Sequence, residues 1–280
     1  MENQYHAAIV GCSDPLPLSE REDVARVRDI LAAENVSSAV SPVLFTDTAP
    51  SPREKAEALN GFFRDPSVDF IFDVSGGDLA NTVLPFLDFD AIRASRATFF
   101  GFSDLTTVIN AILAKTGRMA VNYQLRNLTY RHAAEQLRHL REVILPGRWD
   151  ASVLAPAFLR GSQMSGRVYG GNIRCFLKLA GTAYWPDVTG GILLLESLGG
   201  GVYQMVTALE QCRQLGVFDK IGGILLGTFT HMEENGLSPT IEELVLQMTP
   251  ESLPVARTRF VGHYPDARAI PLGLPMAFSA

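Results

Sequence analysis

Two rhythms of apolar residues alternate through the first half of this chain. Short apolar runs at residues 6–10 and 68–74 and around Phe99 and Phe100 stop at glycine or small polar residues, as buried strands do. Between and after them, apolar residues recur every three or four positions, the period of amphipathic helices. Ser19-Glu20-Arg21-Glu22 has the spacing of a capping box and opens a helix with Val24, Val27, Ile30 and Leu31 on one face. A second box, Ser51-Pro52-Arg53-Glu54, places proline at the first helical position, and that helix carries Ala58, Leu59 and Phe62 towards Asp65. A third helix follows Ser103 with Val108, Ile109 and Ile112 and stops near Gly117. Repeated strand–helix order predicts a parallel sheet covered by helices.

The pattern changes after a polar, helix-like stretch at 126–141. Gly, Pro and Ser become frequent from 146 to 171, which predicts a crossing between domains at 146–166. Shorter strands follow at 167–169, 191–195 and 221–227, with one helix over 203–215 and an extended, loop-rich stretch over 260–278. The expected fold class is α/β: an N-terminal parallel α/β sandwich domain at 1–145 and a smaller β-rich C-terminal domain at 167–280.

At 280 residues, two domains are the natural expectation, and the 47% hydrophobic and 19% charged composition is that of a globular chain. A net charge of -6, with no basic tract interleaved with aromatics, argues against a nucleic-acid partner. No apolar run reaches the roughly 18 residues of a membrane span, and Met1 to His6 lack a basic secretory region, so a cytoplasmic location is expected. Cys12, Cys175 and Cys212 are far apart and odd in number, which predicts reduced, partly buried thiols rather than disulfides or a zinc knuckle. The histidines form no zinc-protease pair, so no metal site is indicated.

Chemistry concentrates at corners where strands end. Ala97-Thr98-Phe99-Phe100-Gly101-Phe102-Ser103-Asp104-Leu105 is a strand turning into a helix, and such a corner presents a serine hydroxyl beside unpaired N–H groups. The alternative is that Ser103 only caps the helix. Asp73-Val74-Ser75-Gly76-Gly77-Asp78 breaks at paired glycines, where backbone approaches a ligand closely or simply turns tightly. Glu196 ends the run Ile192-Leu193-Leu194-Leu195, either as a functional carboxylate at a sheet edge or as the strand's exit into solvent. His263, between Gly262 and Tyr264-Pro265, is a solvated loop histidine or a base. The order Ser103, Glu196, His263 suits a hydroxyl nucleophile, an orienting carboxylate and an imidazole base. An α/β-hydrolase elbow would need glycine where this chain has Leu105.

Gly101-Phe102-Ser103-Asp104, Gly170-Gly171-Asn172 with Gly181-Thr182-Ala183-Tyr184, the run from Ile192 to Glu196, and Gly262-His263 with Ile270-Pro271-Leu272-Gly273 together resemble the LD-carboxypeptidase family of serine peptidases. The resemblance extends from about residue 68 to the C-terminus, in the family's order. It implies a parallel domain bearing the nucleophile Ser103 and a β-rich domain bearing Glu196 and His263. The N–H groups of Asp104 and Gly77 would form the oxyanion hole, and Gly76, Asp78 and Asn81 would contact substrate. It further implies a homodimer without metal or organic cofactor, acting on a small peptide, the murein tetrapeptide, from which terminal D-alanine is removed during cell-wall recycling. Many murein-specific members carry Arg-Gly-Gly-Tyr-Gly at the glycine turn, whereas Ser75-Gly76-Gly77-Asp78-Leu79 is similar to the microcin C self-immunity branch, which hydrolyses aminoacyl nucleotides. Ser197 also stands where an acidic residue is frequent. A non-catalytic small-ligand binding module is the rival from another class, and the lack of a visible export signal counts against an exported form of it.

Overall fold

The computed structural model describes residues 5–45 and 49–280. Its first half alternates β1 (Tyr5–Val10), α1 (Arg21–Ala33), β2 (Val36–Val40), α2 (Pro52–Arg64), β3 (Phe70–Asp73), α3 (Phe89–Ala94), β4 (Thr98–Gly101), α4 (Thr106–Thr116), β5 (Ala120–Asn122) and α5 (Ala133–His139). The second half contributes β6 (Ala157–Arg160), β7 (Gln163–Asn172), α6 (Ile173–Leu177), β8 (Ile192–Ser197), α7 (Val202–Gln214), β9 (Gly223–Phe229), α8 (Thr230–Glu234), α9 (Ile241–Met248), β10 (Val255–Arg257), β11 (Ile270–Leu272) and β12 (Pro275–Ser279).

The strands form two six-stranded sheets, in the orders β11-β5-β4-β3-β1-β2 and β12-β7-β8-β9-β10-β6. From β2 to β5 the first sheet is parallel, and its register aligns Val10 with Asp73, Phe72 with Phe100, and Gly101 with Asn122. The strand ends therefore share one carboxyl edge, where open α/β sheets place functional groups. In the second sheet β7, β8, β9 and β10 run parallel, with β6 and β12 antiparallel at its margins. This is the expected α/β class, with a mixed sheet in the second half.

α4 lies between the sheets. Every residue from Thr106 to Leu113 is buried, so both polar and apolar faces of this helix meet protein. Leu105, Val108 and Ile109 share one core cluster with Val168, Ile192 and Leu225 of the second sheet. Asn110 clasps the Gly170 backbone, donating from Nδ2 to its carbonyl at 2.8 Å and accepting its N–H at 3.0 Å, while Thr106 Oγ1 accepts the Asn172 N–H at 3.0 Å. Gly171 has φ +126°, and a Cβ there would lie 2.7 Å from Thr106 Oγ1. The paired glycines thus let helix and strand approach closely.

The second capping box forms as expected. Ser51 Oγ accepts the Glu54 N–H, and the Ser51 N–H donates to Glu54 Oε2 at 2.8 Å. Ser19 does not cap α1: a 3₁₀ turn over Leu18–Glu20 precedes the helix, and Pro17 starts it, its carbonyl accepting the Glu20 N–H at 2.9 Å. The first turn's donors thus meet carbonyls of the preceding turn instead of a serine side chain. Residues 146–166 hold a 3₁₀ turn at Ala151–Leu154, then β6 and the first residues of β7. The stretch 260–278 holds β11, which pairs antiparallel with β5 of the first sheet, and most of β12.

Candidate active site

Strand β4 ends at Gly101, where a Cβ would come within 2.6 Å of Leu105 Cβ, so only glycine permits the sharp turn. Phe102 is extended, and Ser103 then takes φ +56°, an unfavourable conformation for a residue with a Cβ, before the 3₁₀ turn Ser103–Leu105 leads into α4. Ser103 accordingly caps neither helix with its side chain. Its hydroxyl points instead towards the second sheet.

There it meets the two residues that the sequence order singled out. His263 Nε2 lies 3.2 Å from Ser103 Oγ, and His263 Nδ1 lies 2.7 Å from Glu196 Oε2. Glu196 is fully buried at the end of β8, so its exit into solvent is ruled out. Such a carboxylate fixes the Nδ1–H tautomer and leaves Nε2 free to accept the serine proton. Gly262 makes room for this arrangement: its φ is +136°, and a Cβ would lie 1.9 Å from Thr228 Oγ1. Phe102 packs on the imidazole with ring centroids 4.5 Å apart.

The glycine turn follows β3 and folds beside Ser103. Gly77 has φ +124° and abuts the Asp14 carboxylate, which accepts the Asp78 N–H at 2.9 Å and the Leu79 N–H at 3.2 Å. Among the described residues, neither the Gly77 N–H nor the Asp104 N–H is engaged by a backbone or side-chain acceptor. The Asp104 carboxylate is fully buried and ties the corner together, accepting from Ser13 Oγ, the Ala80 N–H and Lys178 Nζ, each at 2.7 Å. Lys178 Nζ also donates to the Asp78 carbonyl at 2.8 Å. Arg174, one helical turn earlier, pairs with the Asp78 carboxylate and donates to the Gly77 carbonyl at 3.2 Å. The Arg174 guanidinium holds the Asp78 carboxyl below the usual carboxylate range.

A cleft of about 960 Å³ opens at Ser103, lined also by Gly77, Asp78, Asn172, Arg174 and Tyr203 among others. Gly76 and Asn81 do not line it: the Gly76 carbonyl accepts the Asp14 N–H, and Asn81 is exposed on the next turn. Trp185 and Tyr184 pack against Phe176 and Phe89. Ser13, Asp14, Arg174 and Lys178 are site residues that sequence reading passed over. Gly11-Cys12-Ser13-Asp14 at the end of β1 is the same strand-end signal as the glycine turn, and Arg174 and Lys178 have the four-residue spacing of one helix face. All three cysteines are buried and free, and burial pushes Cys175 and Cys212 up to about 12, which makes poor nucleophiles of them. No group of three or more His, Cys, Asp or Glu among the described residues is placed to hold a metal ion. No helix among them is long and apolar enough to cross a membrane.

Comparison with known proteins gives two family matches, the LD-carboxypeptidase N-terminal domain over residues 7–123 and the LD-carboxypeptidase C-terminal domain over 165–278. The microcin C7 self-immunity protein MccF of Escherichia coli is 26% identical over 258 residues, 80% of this chain and 75% of that protein. The probable murein peptide carboxypeptidase of Bacillus subtilis is 24% identical over 253 residues, 81% of this chain and 73% of its own. Among solved structures, MccF in complex with aspartyl sulfamoyl adenosine superposes with a TM-score of 0.87 at 21% identity, covering all of this chain and 94% of that one. The muramoyltetrapeptide carboxypeptidase from Oxalobacter formigenes gives 0.80 at 22% identity, covering 98% and 95%.

Proposed function

Since the chain belongs to the LD-carboxypeptidase family and is a serine carboxypeptidase hydrolase, we propose that it removes the terminal D-alanine of murein tetrapeptide with Ser103 as nucleophile, His263 as base and Glu196 as the carboxylate that orients it. The observation that carries this reading is the unbroken relay from Ser103 Oγ through His263 to buried Glu196. His263 Nε2 takes the hydroxyl proton as Oγ attacks the carbonyl that precedes D-alanine. Gly77 and Asp104 N–H groups, both without a protein acceptor among the described residues, hold the oxyanion. The imidazolium then returns the proton to the departing amine, and D-alanine leaves an acyl-Ser103 ester. Water, deprotonated by His263, attacks that ester and releases the tripeptide carboxylate and the free serine. The cytoplasmic setting expected from the sequence and the homodimeric state implied by the resemblance belong to the same proposal. Light scattering of the purified chain reads the dimer directly.

Mass spectrometry of D-alanine release from the tetrapeptide tests the assignment. Ser103→Ala is expected to lower turnover by roughly three or more orders of magnitude without disturbing the circular dichroism spectrum. A folded Ser103→Ala protein with intact turnover would falsify the nucleophile assignment. A second reading, hydrolysis of an aminoacyl nucleotide, is favoured by the Ser75-Gly76-Gly77-Asp78 turn and by Tyr203, a residue 85% exposed on the cleft wall whose ring suits stacking on a nucleobase. Assaying both substrates side by side separates the two.

A further inference from the structure

The cleft at Ser103 has a simple charge inventory. Among its described lining residues Arg174 is the sole cation and Asp78 the sole carboxylate, and the two are paired with each other. Their side chains are 53% and 67% exposed, so water competes for both and the pair is weakly held. Arg174 is therefore available. It also donates to the carbonyl of Gly77, which places it beside the turn that lines the same cleft as Ser103.

The structure also provides a second partner for Asp78. Lys178 has three N–H donors, of which one goes to buried Asp104 at 2.7 Å and one to the Asp78 carbonyl at 2.8 Å. The Asp78 carboxylate lies 3.8 Å from the same Nζ. A small rotation of Asp78 would bring it to the remaining donor and release Arg174 without leaving an unpaired charge. Resting on the carboxypeptidase reading, we propose that Arg174 is the receptor for the free terminal carboxylate of the substrate, that Asp78 occupies it in the empty enzyme, and that Asp78 passes to Lys178 when substrate enters. The guanidinium binds a carboxylate through two parallel hydrogen bonds, which fixes the orientation of the terminal residue as well as its charge. A neutral end group receives neither benefit.

The test compares two peptides that differ only there: the tetrapeptide ending in a free D-alanine carboxylate and the same peptide ending in D-alaninamide. Wild-type enzyme is expected to prefer the acid by about 100-fold in kcat/KM, mostly through KM, as a charge-assisted fork implies. In Arg174→Met the acid-to-amide ratio is expected to fall to within about threefold of one, with Arg174→Lys intermediate because an ammonium restores charge without the fork. Asp78→Asn, which removes the competing anion, is expected to lower KM for the acid several-fold. An acid-to-amide ratio that stays at the wild-type value in Arg174→Met overturns the assignment, even if both rates drop, because a uniform loss marks Arg174 as a brace of the glycine turn. Wild-type enzyme that cleaves neither peptide overturns the carboxypeptidase substrate itself, a different failure.

Discussion

Asp104 serves the corner with two different groups. Its N–H has no protein acceptor among the described residues, while its carboxylate is held by Ser13, Ala80 and Lys178, from β1's exit loop, the glycine turn's continuation and the segment after α6. Replacing the charge by an amide leaves Lys178 facing a neutral partner in a site where Asp104 is fully buried. Asp104→Asn is expected to cost about 2–3 kcal/mol in urea unfolding and to lower kcat more than it changes KM, since the groups displaced lie beside the reacting atoms. His139 is a titrating residue of another kind. It is buried, its Nε2 accepts the Ala269 N–H at 3.0 Å, and burial, helped by Arg268, holds its pKa down to about 4 from the usual 6.5. The unfolded chain therefore binds the extra proton first as pH falls, so native stability drops between about pH 6.5 and 4 and is unaffected by this group above that window. The drop is of the order of 3 kcal/mol. His139→Gln keeps an acceptor for Ala269 and is expected to flatten this part of the pH–stability curve relative to wild type. Equal slopes in the two proteins would dissociate His139 from the acid sensitivity.

At the level of elements, α4 is packed between the two sheets just after Ser103, and Gly171 is one of its closest approaches to the second sheet. Gly171→Ala is expected to destabilise the chain by about 2–3 kcal/mol in chemical denaturation, through left-handed strain and collision with Thr106, and to reduce turnover in the fraction that folds. The sequence revealed α4 by Val108, Ile109 and Ile112 and its end by Gly117, which takes φ +70° and donates to the Leu113 carbonyl. It did not reveal that Thr106, Asn110 and Thr107 are buried too, because polar positions read as a solvent face unless a second layer covers them. That Ser103, Glu196 and His263 belong together was legible from chain order, with Ser103 and Glu196 at strand ends and His263 in a loop. Arg174 and Lys178 were not, since cations on a short helix look solvated until the glycine turn is seen against them. Residues 146–166 were read as a crossing because Gly, Pro and Ser are frequent there; in the structure Gly161 at φ +75° turns β6 into β7. Tertiary pairing, not local composition, decides that such a segment becomes a strand.

Across the whole molecule, the core does not divide at the sheets. One cluster includes Ala8, Ile71 and Phe99 together with Val168, Ile192, Leu225, Ile270 and Phe278. Removing residues 270–280 strips Ile270, Leu272, Met276 and Phe278, all at most 7% exposed, and uncovers the edge of β5. Four such side chains contribute about 6–12 kcal/mol at the usual value for burial, comparable to the entire stability of a typical domain. The truncated chain is therefore expected to show no cooperative thermal transition, whereas the intact chain shows a single one. A truncated protein that still melts cooperatively would contradict this shared core. The return of β11 to the first sheet also has a consequence for the order of synthesis. Ser103 leaves the ribosome 160 residues before His263, and the strand that completes its sheet comes later still. On the proposed triad, a nascent chain thus carries an isolated serine until His263 and β11 have been made and docked, and hydrolysis is expected only from that point.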